Sequence, residues 1–174
     1  QQGTIMTSYK VAILTISDAS YHGTREDTSG ELIKSIMQAN NFLVISHEIV
    51  PDELQEISTF LLNSTDNADL IVTTGGTGLG LRDVTPEATA SVIEKPVPGL
   101  PELMRAETRS KTPMAALSRG ISGIRNNSLI INLPGSPRAV QECLSIILPV
   151  LPHALETMQG PVNRHPTDHS TRGI

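Results

Sequence analysis

The 174-residue chain can bury one sizeable core, and its 38% hydrophobic and 18% charged residues, with 13 Gly and 12 Pro, suit one soluble α/β domain with many turns. A net charge of −5 and 2% aromatic residues exclude a general basic footprint for nucleic acid and the stacking platforms of single-strand binders. The one cysteine, Cys143, excludes an internal disulfide and a multi-cysteine zinc site and fits a reducing, cytoplasmic setting, while no stretch reaches the ~20 apolar residues of a membrane span. Residues 1–8 lack the charged-then-apolar pattern of a secretory signal. One domain is expected over 9–159, between flexible termini at 1–8 and 160–174.

Val11–Ile16 reads as a short buried strand closed by the polar Ser17-Asp18. Thr28 with Glu31 fits a capping box for a helix whose apolar stripe is Leu32, Ile33, Ile36 and Met37. Leu43–Ile49 is a second strand, and Asp52 after Pro51 can cap a helix carrying Leu54, Ile57 and Leu61. Asp69–Thr74 is a third strand. Its glycine loop runs to Thr85-Pro86, a cap-plus-proline helix start. Pro96, Pro98 and Pro101 separate this helix from one that turns Leu103 and Met104 inward and ends by Thr112-Pro113. Ser128–Leu133 is a fourth strand. Ser136-Pro137 then starts a helix with Val140, Cys143, Leu144 and Ile147 on its core face. Strands alternating with amphipathic helices imply a mostly parallel sheet covered on both faces. Ligands of such sheets bind beyond the carboxyl ends of the strands, where Ser17, Asp18, Asp52, Thr74 to Asp83 and Pro134 to Ser136 gather.

Two glycine-rich turns dominate that edge: Leu70-Ile-Val-Thr-Thr-Gly-Gly-Thr-Gly78 and Leu129-Ile-Ile-Asn-Leu-Pro-Gly-Ser136. Each follows an apolar run and opens a helix, which suits a phosphorylated ligand because glycine exposes backbone N–H groups and a helix start adds partial positive charge. No Gly-Lys-Ser/Thr follows the first turn, and Leu81 stands where a dinucleotide fingerprint needs glycine. Asp83 is either an exposed loop carboxylate or an oxygen ligand for Mg²⁺ beside a phosphate loop. Asp52 is open to the same two readings, with capping as a full alternative. Arg82, Arg119, Arg125 and Arg138 are the cations nearest the expected pocket. Ser136 serves as an N-cap or a phosphate ligand, and Cys143 as a packed thiol. His165 and His169 are interrupted by Pro166 and make a poor metal site, and no Gly-x-Ser-x-Gly elbow is present.

The ordered motifs Leu14-Thr-Ile-Ser-Asp18, Asp27-Thr-Ser-Gly30, Val50-Pro-Asp-Glu53, Thr73-Thr-Gly-Gly-Thr-Gly78, Arg82-Asp-Val-Thr-Pro-Glu-Ala-Thr89, Leu117-Ser-Arg119, Gly123-Ile-Arg125 and Leu133-Pro-Gly-Ser136 carry a family resemblance. From Val11 to Leu155 the chain resembles the molybdopterin adenylyltransferases of molybdenum cofactor biosynthesis, which include the G domain of gephyrin and its plant and bacterial counterparts. The resemblance implies a three-layer αβα molybdopterin-binding fold and a homotrimer. It implies transfer of AMP from ATP to the terminal phosphate of molybdopterin with Mg²⁺, releasing pyrophosphate, beside a separate molybdenum-insertion protein. Carried over by motif, Asp52 and Asp83 are the active-site acids and metal anchors. Ser17, Asp18, Thr74, Gly75, Gly76, Thr77 and Gly78 belong to the binding set, the last five around the adenylate. Ser118, Arg119, Pro134, Gly135 and Ser136 fall on the pterin-phosphate side. Two alternatives stand beside this: a non-catalytic molybdopterin-binding or scaffold protein, and a nucleotide pyrophosphatase of the same fold.

Overall fold

A computed structural model describes residues 8–160. The flexible termini expected from the sequence lie outside the described residues except for Ser8 and Gly160, as do His165 and His169. In chain order the elements are β1 (Lys10–Ile16), α1 (Asp18–Tyr21), α2 (Thr28–Ala39), β2 (Leu43–Val50), α3 (Leu54–Ser64), β3 (Leu70–Thr74), α4 (Thr85–Val92), β4 (Lys95–Pro96) and α5 (Gly99–Thr108). A 3₁₀ turn (Pro113–Leu117) follows, then β5 (Ser122–Arg125), β6 (Ser128–Leu133), α6 (Pro137–Ile147) and α7 (Leu151–Gln159). One six-stranded sheet has the order β2-β1-β3-β6-β5-β4. The first four strands are parallel and the β6-β5-β4 edge is antiparallel.

Side chains alternate across the sheet, and that alternation builds the layers. Val11, Ile13, Leu70, Val72, Leu129 and Ile131 pack with Ile33 and Met37 of α2, Met104 of α5, Val140 and Leu144 of α6 and Leu155 of α7. Their neighbours Ala12, Leu14, Ile71 and Ile130 pack on the other face with Ile57 and Leu61 of α3 and Ala88 and Val92 of α4. The expected αβα sandwich is therefore present, with β3 and β6 as continuous buried runs at its centre. Asn132 of β6 is buried and fully used. Its amide nitrogen donates to Thr73 Oγ1 at 3.0 Å and Thr89 Oγ1 at 2.9 Å, and its carbonyl accepts from the Ile121 amide at 3.1 Å.

Three helix starts differ from the sequence reading: at α2 a neighbouring carboxylate takes the cap, and at α3 and α4 the expected capping side chain is bonded elsewhere. Asp27, not Thr28, caps α2, its carboxylate accepting from the Gly30 amide at 2.9 Å. Asp52 does not cap α3. Glu53 occupies that position without a side-chain bond, and the Asp52 carboxylate accepts from the Asp18 amide at 2.9 Å instead. Thr85 is the first residue of α4 rather than its cap, and its hydroxyl donates to the Gly75 carbonyl at 2.9 Å. The Ser136-Pro137 start of α6 is as expected, with Ser136 Oγ accepting from the Ala139 amide at 3.2 Å.

Candidate active site

The carboxyl ends of β1, β3 and β6 open into a cleft of about 640 Å³. It is lined by nine of the residues singled out in the sequence: Ser17, Asp18, Asp52, Thr74, Gly75, Gly76, Asp83, Gly135 and Ser136. A second, apolar cleft of about 310 Å³ lies alongside, between α5, the 3₁₀ turn and α6. Ser118 and Pro134 line this second cleft, and Ser136 lines both. Thr77, Gly78 and Arg119 line neither cleft. Thr77 and Gly78 belong to the loop that carries Asp83, and Arg119 is tied to it, its amide donating to the Thr77 carbonyl at 2.9 Å and its Nε to the Gly78 carbonyl at 2.8 Å.

The turn after β3 needs its two glycines. Gly75 has φ of +95°, and a Cβ there would collide with the Ile16 carbonyl oxygen; Gly76 has φ of +66°, and a Cβ there would collide with Thr85 Oγ1 and sit 3.2 Å from Asp52 Oδ1. The chain thus turns hard against the end of β1, which brings Asp83 round to the same cleft as Asp52. Asp83 is held by its own loop, with the Gly80 amide donating to Oδ2 at 2.9 Å. Thr74 Oγ1 donates to the Pro134 carbonyl at 2.6 Å and joins the two glycine turns.

Asp18 and Asp52 exchange bonds. The Asp18 amide donates to Asp52 Oδ2 at 2.9 Å, and the Asp52 amide donates to Asp18 Oδ1 at 3.0 Å. Their charges nevertheless respond in opposite directions. The Arg82 guanidinium, donating to Asp18 at 2.6 and 3.1 Å, and the Asp52 amide hold the Asp18 carboxyl below the usual range. Burial, followed by the nearby charges of Asp18 and Asp83, pushes Asp52 above it despite the bond from Asp18. Asp52 is therefore a carboxylate short of positive charge.

The sequence-picked arginines are occupied elsewhere. Arg82 bridges Asp18 and Glu53, the latter at 2.9 Å. Arg119 pairs with Glu87 and also donates to the Asp83 carbonyl at 2.8 Å. Arg125 donates to the Val92 carbonyl at 3.0 Å, and Arg138 to Glu142 at 3.1 Å. Cys143 is a packed thiol as expected, its pKa pushed up to about 11, first by burial and then by Glu142.

Sequence reasoning quoted Asp27 to Gly30 as a motif but gave no site role to the cleft's other wall, Arg25 to Ser29. Asp27 accepts from Thr15 Oγ1 at 2.7 Å, His47 Nε2 at 2.8 Å and the Gly30 amide at 2.9 Å. Burial opposes its ionisation, but these donors outweigh it and hold the carboxyl below the usual range. Ser29 Oγ donates to the Gly135 carbonyl at 2.6 Å, fastening α2 to the second glycine turn. The available signal was positional, since this loop leaves the same sheet edge as Ser17-Asp18.

A mostly parallel αβα sandwich with a cleft at its carboxyl edge defines the class of open α/β proteins that bind ligands beyond their strand ends. Residues 12–153 match the family described as "Probable molybdopterin binding domain", and the chain belongs to that family. A molybdopterin adenylyltransferase from Helicobacter pylori strain J99 is 43% identical over 159 residues, which cover 89% of this chain and 90% of that protein. The crystal structure of the molybdopterin biosynthesis enzyme MoaB from Thermus thermophilus matches with a TM-score of 0.83 at 49% identity, over 88% of this chain and 98% of that one. A tungsten cofactor synthesizing MoaB from Pyrococcus furiosus matches with a TM-score of 0.82 at 32% identity, over 88% of this chain and 99% of that one.

Proposed function

We propose that the chain is a molybdopterin adenylyltransferase, joining the AMP part of ATP to the terminal phosphate of molybdopterin and releasing pyrophosphate. The observation that carries this reading is the convergence of Asp52 and Asp83 on one cleft with the Gly75-Gly76 and Gly135-Ser136 turns. Nucleotidyl transfer asks little covalent chemistry of a protein. It asks for in-line positioning and for control of charge on the phosphates.

The glycine turns bring bare backbone against the ligand, and Ser136 offers a hydroxyl at the start of α6. The cleft lining is dominated by the carboxylates of Asp18, Glu26, Asp27, Asp52 and Asp83. A polyphosphate therefore enters favourably only with a divalent cation. Asp52 and Asp83 fit Mg²⁺, which takes one or two carboxylates together with phosphate oxygens in preference to an all-protein cage; no group of three or more potential ligands is present among the described residues. When bound, Mg²⁺ would neutralise phosphate charge and polarise the bond to the leaving pyrophosphate. Asp18, kept ionised by Arg82, holds the Asp52 backbone and so fixes where that carboxylate stands.

The apolar cleft beside Ser118 and Pro134 suits the uncharged body of the pterin, with Ser136 at the junction of the two spaces. The family resemblance supports a homotrimer, a cytoplasmic setting and a separate molybdenum-insertion protein. Among the described residues no helix is long and apolar enough to cross a membrane. The direct test is pyrophosphate release from Mg-ATP with and without molybdopterin, for the unaltered chain and Asp83→Asn. Release that requires molybdopterin and collapses in the variant supports the reading; pterin binding without release replaces it with a non-catalytic carrier.

A further inference from the structure

Arg82 and Arg119, the arginines a sequence reader would assign to phosphate, both have their guanidinium groups committed to protein. Arg82 spans Asp18 and Glu53, and Arg119 spans Glu87 and the carbonyls of Gly78 and Asp83. Arg105 faces the apolar cleft, but its Nη1 donates to the Gly120 carbonyl at 3.0 Å. Arg25 differs from all of these. It lines the polar cleft, it is the sole cationic side chain in that lining among the described residues, and its one hydrogen bond is a long 3.3 Å contact from Nη2 to Ser17 Oγ. It makes no ion pair among the described residues, although Glu26, Asp27, Asp18 and Asp52 line the same cleft.

We infer that Arg25 is the residue that grips a phosphate group of the ligand in this cleft, while Arg82 and Arg119 position the acid loops. The inference rests on the adenylyltransferase reading and names a binding residue within it. A guanidinium can give two parallel N–H bonds to a phosphate, and Arg25 has those donors free where the committed arginines do not. Its place beside Ser17 puts the one positive side chain of the lining, among the described residues, in the same cleft as the carboxylates and the glycine turns. Because the side chain is exposed and held by a single contact, its replacement leaves the fold standing. The phosphate is either that of ATP or the terminal phosphate of molybdopterin.

The test compares Arg25→Gln and Arg25→Lys with the unaltered chain. Calorimetry with Mg-ATP and with inorganic pyrophosphate reads the nucleotide arm, and the KM for molybdopterin reads the other; circular dichroism checks the fold. Arg25→Gln is expected to weaken one arm by roughly tenfold or more, with Arg25→Lys between it and the parent, as loss of a charge-assisted pair requires. The weakened arm identifies the phosphate. Unchanged values in both arms, in a folded variant of a chain that does turn over, overturn the role of Arg25 and leave the enzyme reading intact. A parent chain that neither binds Mg-ATP nor releases pyrophosphate with molybdopterin overturns both.

Discussion

The cleft above β1 and β3 is ringed by carboxylates and bare glycine backbone, whereas the cleft under Pro134 is walled by Pro101, Met104, Ala139 and Cys143, and the two meet at Ser136. The difference divides a ligand by chemistry. A charged end needs fixed dipoles and a counter-ion, while a flat uncharged body needs apolar walls with a few polar groups such as Thr112 and Ser118 to meet its donors and acceptors. Strand ends supply the first cleft and helix faces the second, so each can be altered with the other intact.

The largest effect comes from removing charge in the polar cleft. Asp83→Asn and Asp52→Asn should each lower molybdopterin-dependent pyrophosphate release by about 100-fold or more, since each removes a carboxylate that would hold the cation neutralising the phosphates. Titrating Mg²⁺ against each variant should show a raised cation requirement. Filling the apolar cleft should be felt by one substrate alone. Ala139→Leu adds bulk at a partly exposed position on α6 and should raise the KM for molybdopterin by roughly tenfold, with ATP binding measured by calorimetry unchanged.

Stability sharpens the contrast within the polar cleft itself. Asp27 has a depressed pKa in the folded chain, so its contribution is fully present above the ordinary carboxylate value and is lost as pH falls through the lower folded value. Asp27→Asn should therefore lower Tm most at neutral pH, by an amount reflecting about 1–3 kcal/mol, and the gap to the parent should close on acidification. Thermal melts from neutral to acidic pH check this. Asp52 has the opposite sign, because a raised pKa means that its ionised form weakens the fold at neutral pH. In EDTA, Asp52→Asn should raise Tm by about a degree or two while activity is lost. A fall in Tm would show that Asp52 is not short of positive charge.

The parallel half of the sheet was legible because its strands are unbroken apolar runs and its helices carry clear stripes. β1, β3 and β6 begin and end within a residue of where pattern places them. The antiparallel edge was not, since β4 is a Lys-Pro pair and β5 contains Gly123, neither long enough to show alternation. Site residues followed the same rule. The glycine turns and Asp83 were visible as motifs, but the use of Asp52 depended on an amide contributed by Asp18, 34 residues away, which no local pattern encodes. Arg25 escaped notice because its loop has no periodicity, and the arginines that did draw notice have carboxylate or carbonyl partners that only the folded chain brings near.

The sheet's order also bears on how the chain is made. β6 is the last strand to be synthesised, yet it lies between β3 and β5, and Gly135 just beyond it accepts a bond from Ser29, 106 residues earlier. A nascent chain that has completed only β1, β2 and β3 therefore presents β3 as an open edge, with the Asp83 loop and the Gly135-Ser136 turn of the polar cleft missing. An open edge of that kind is prone to pair with other chains, so a folding helper that shields β3 until Ser136 emerges is expected to raise the yield of folded protein.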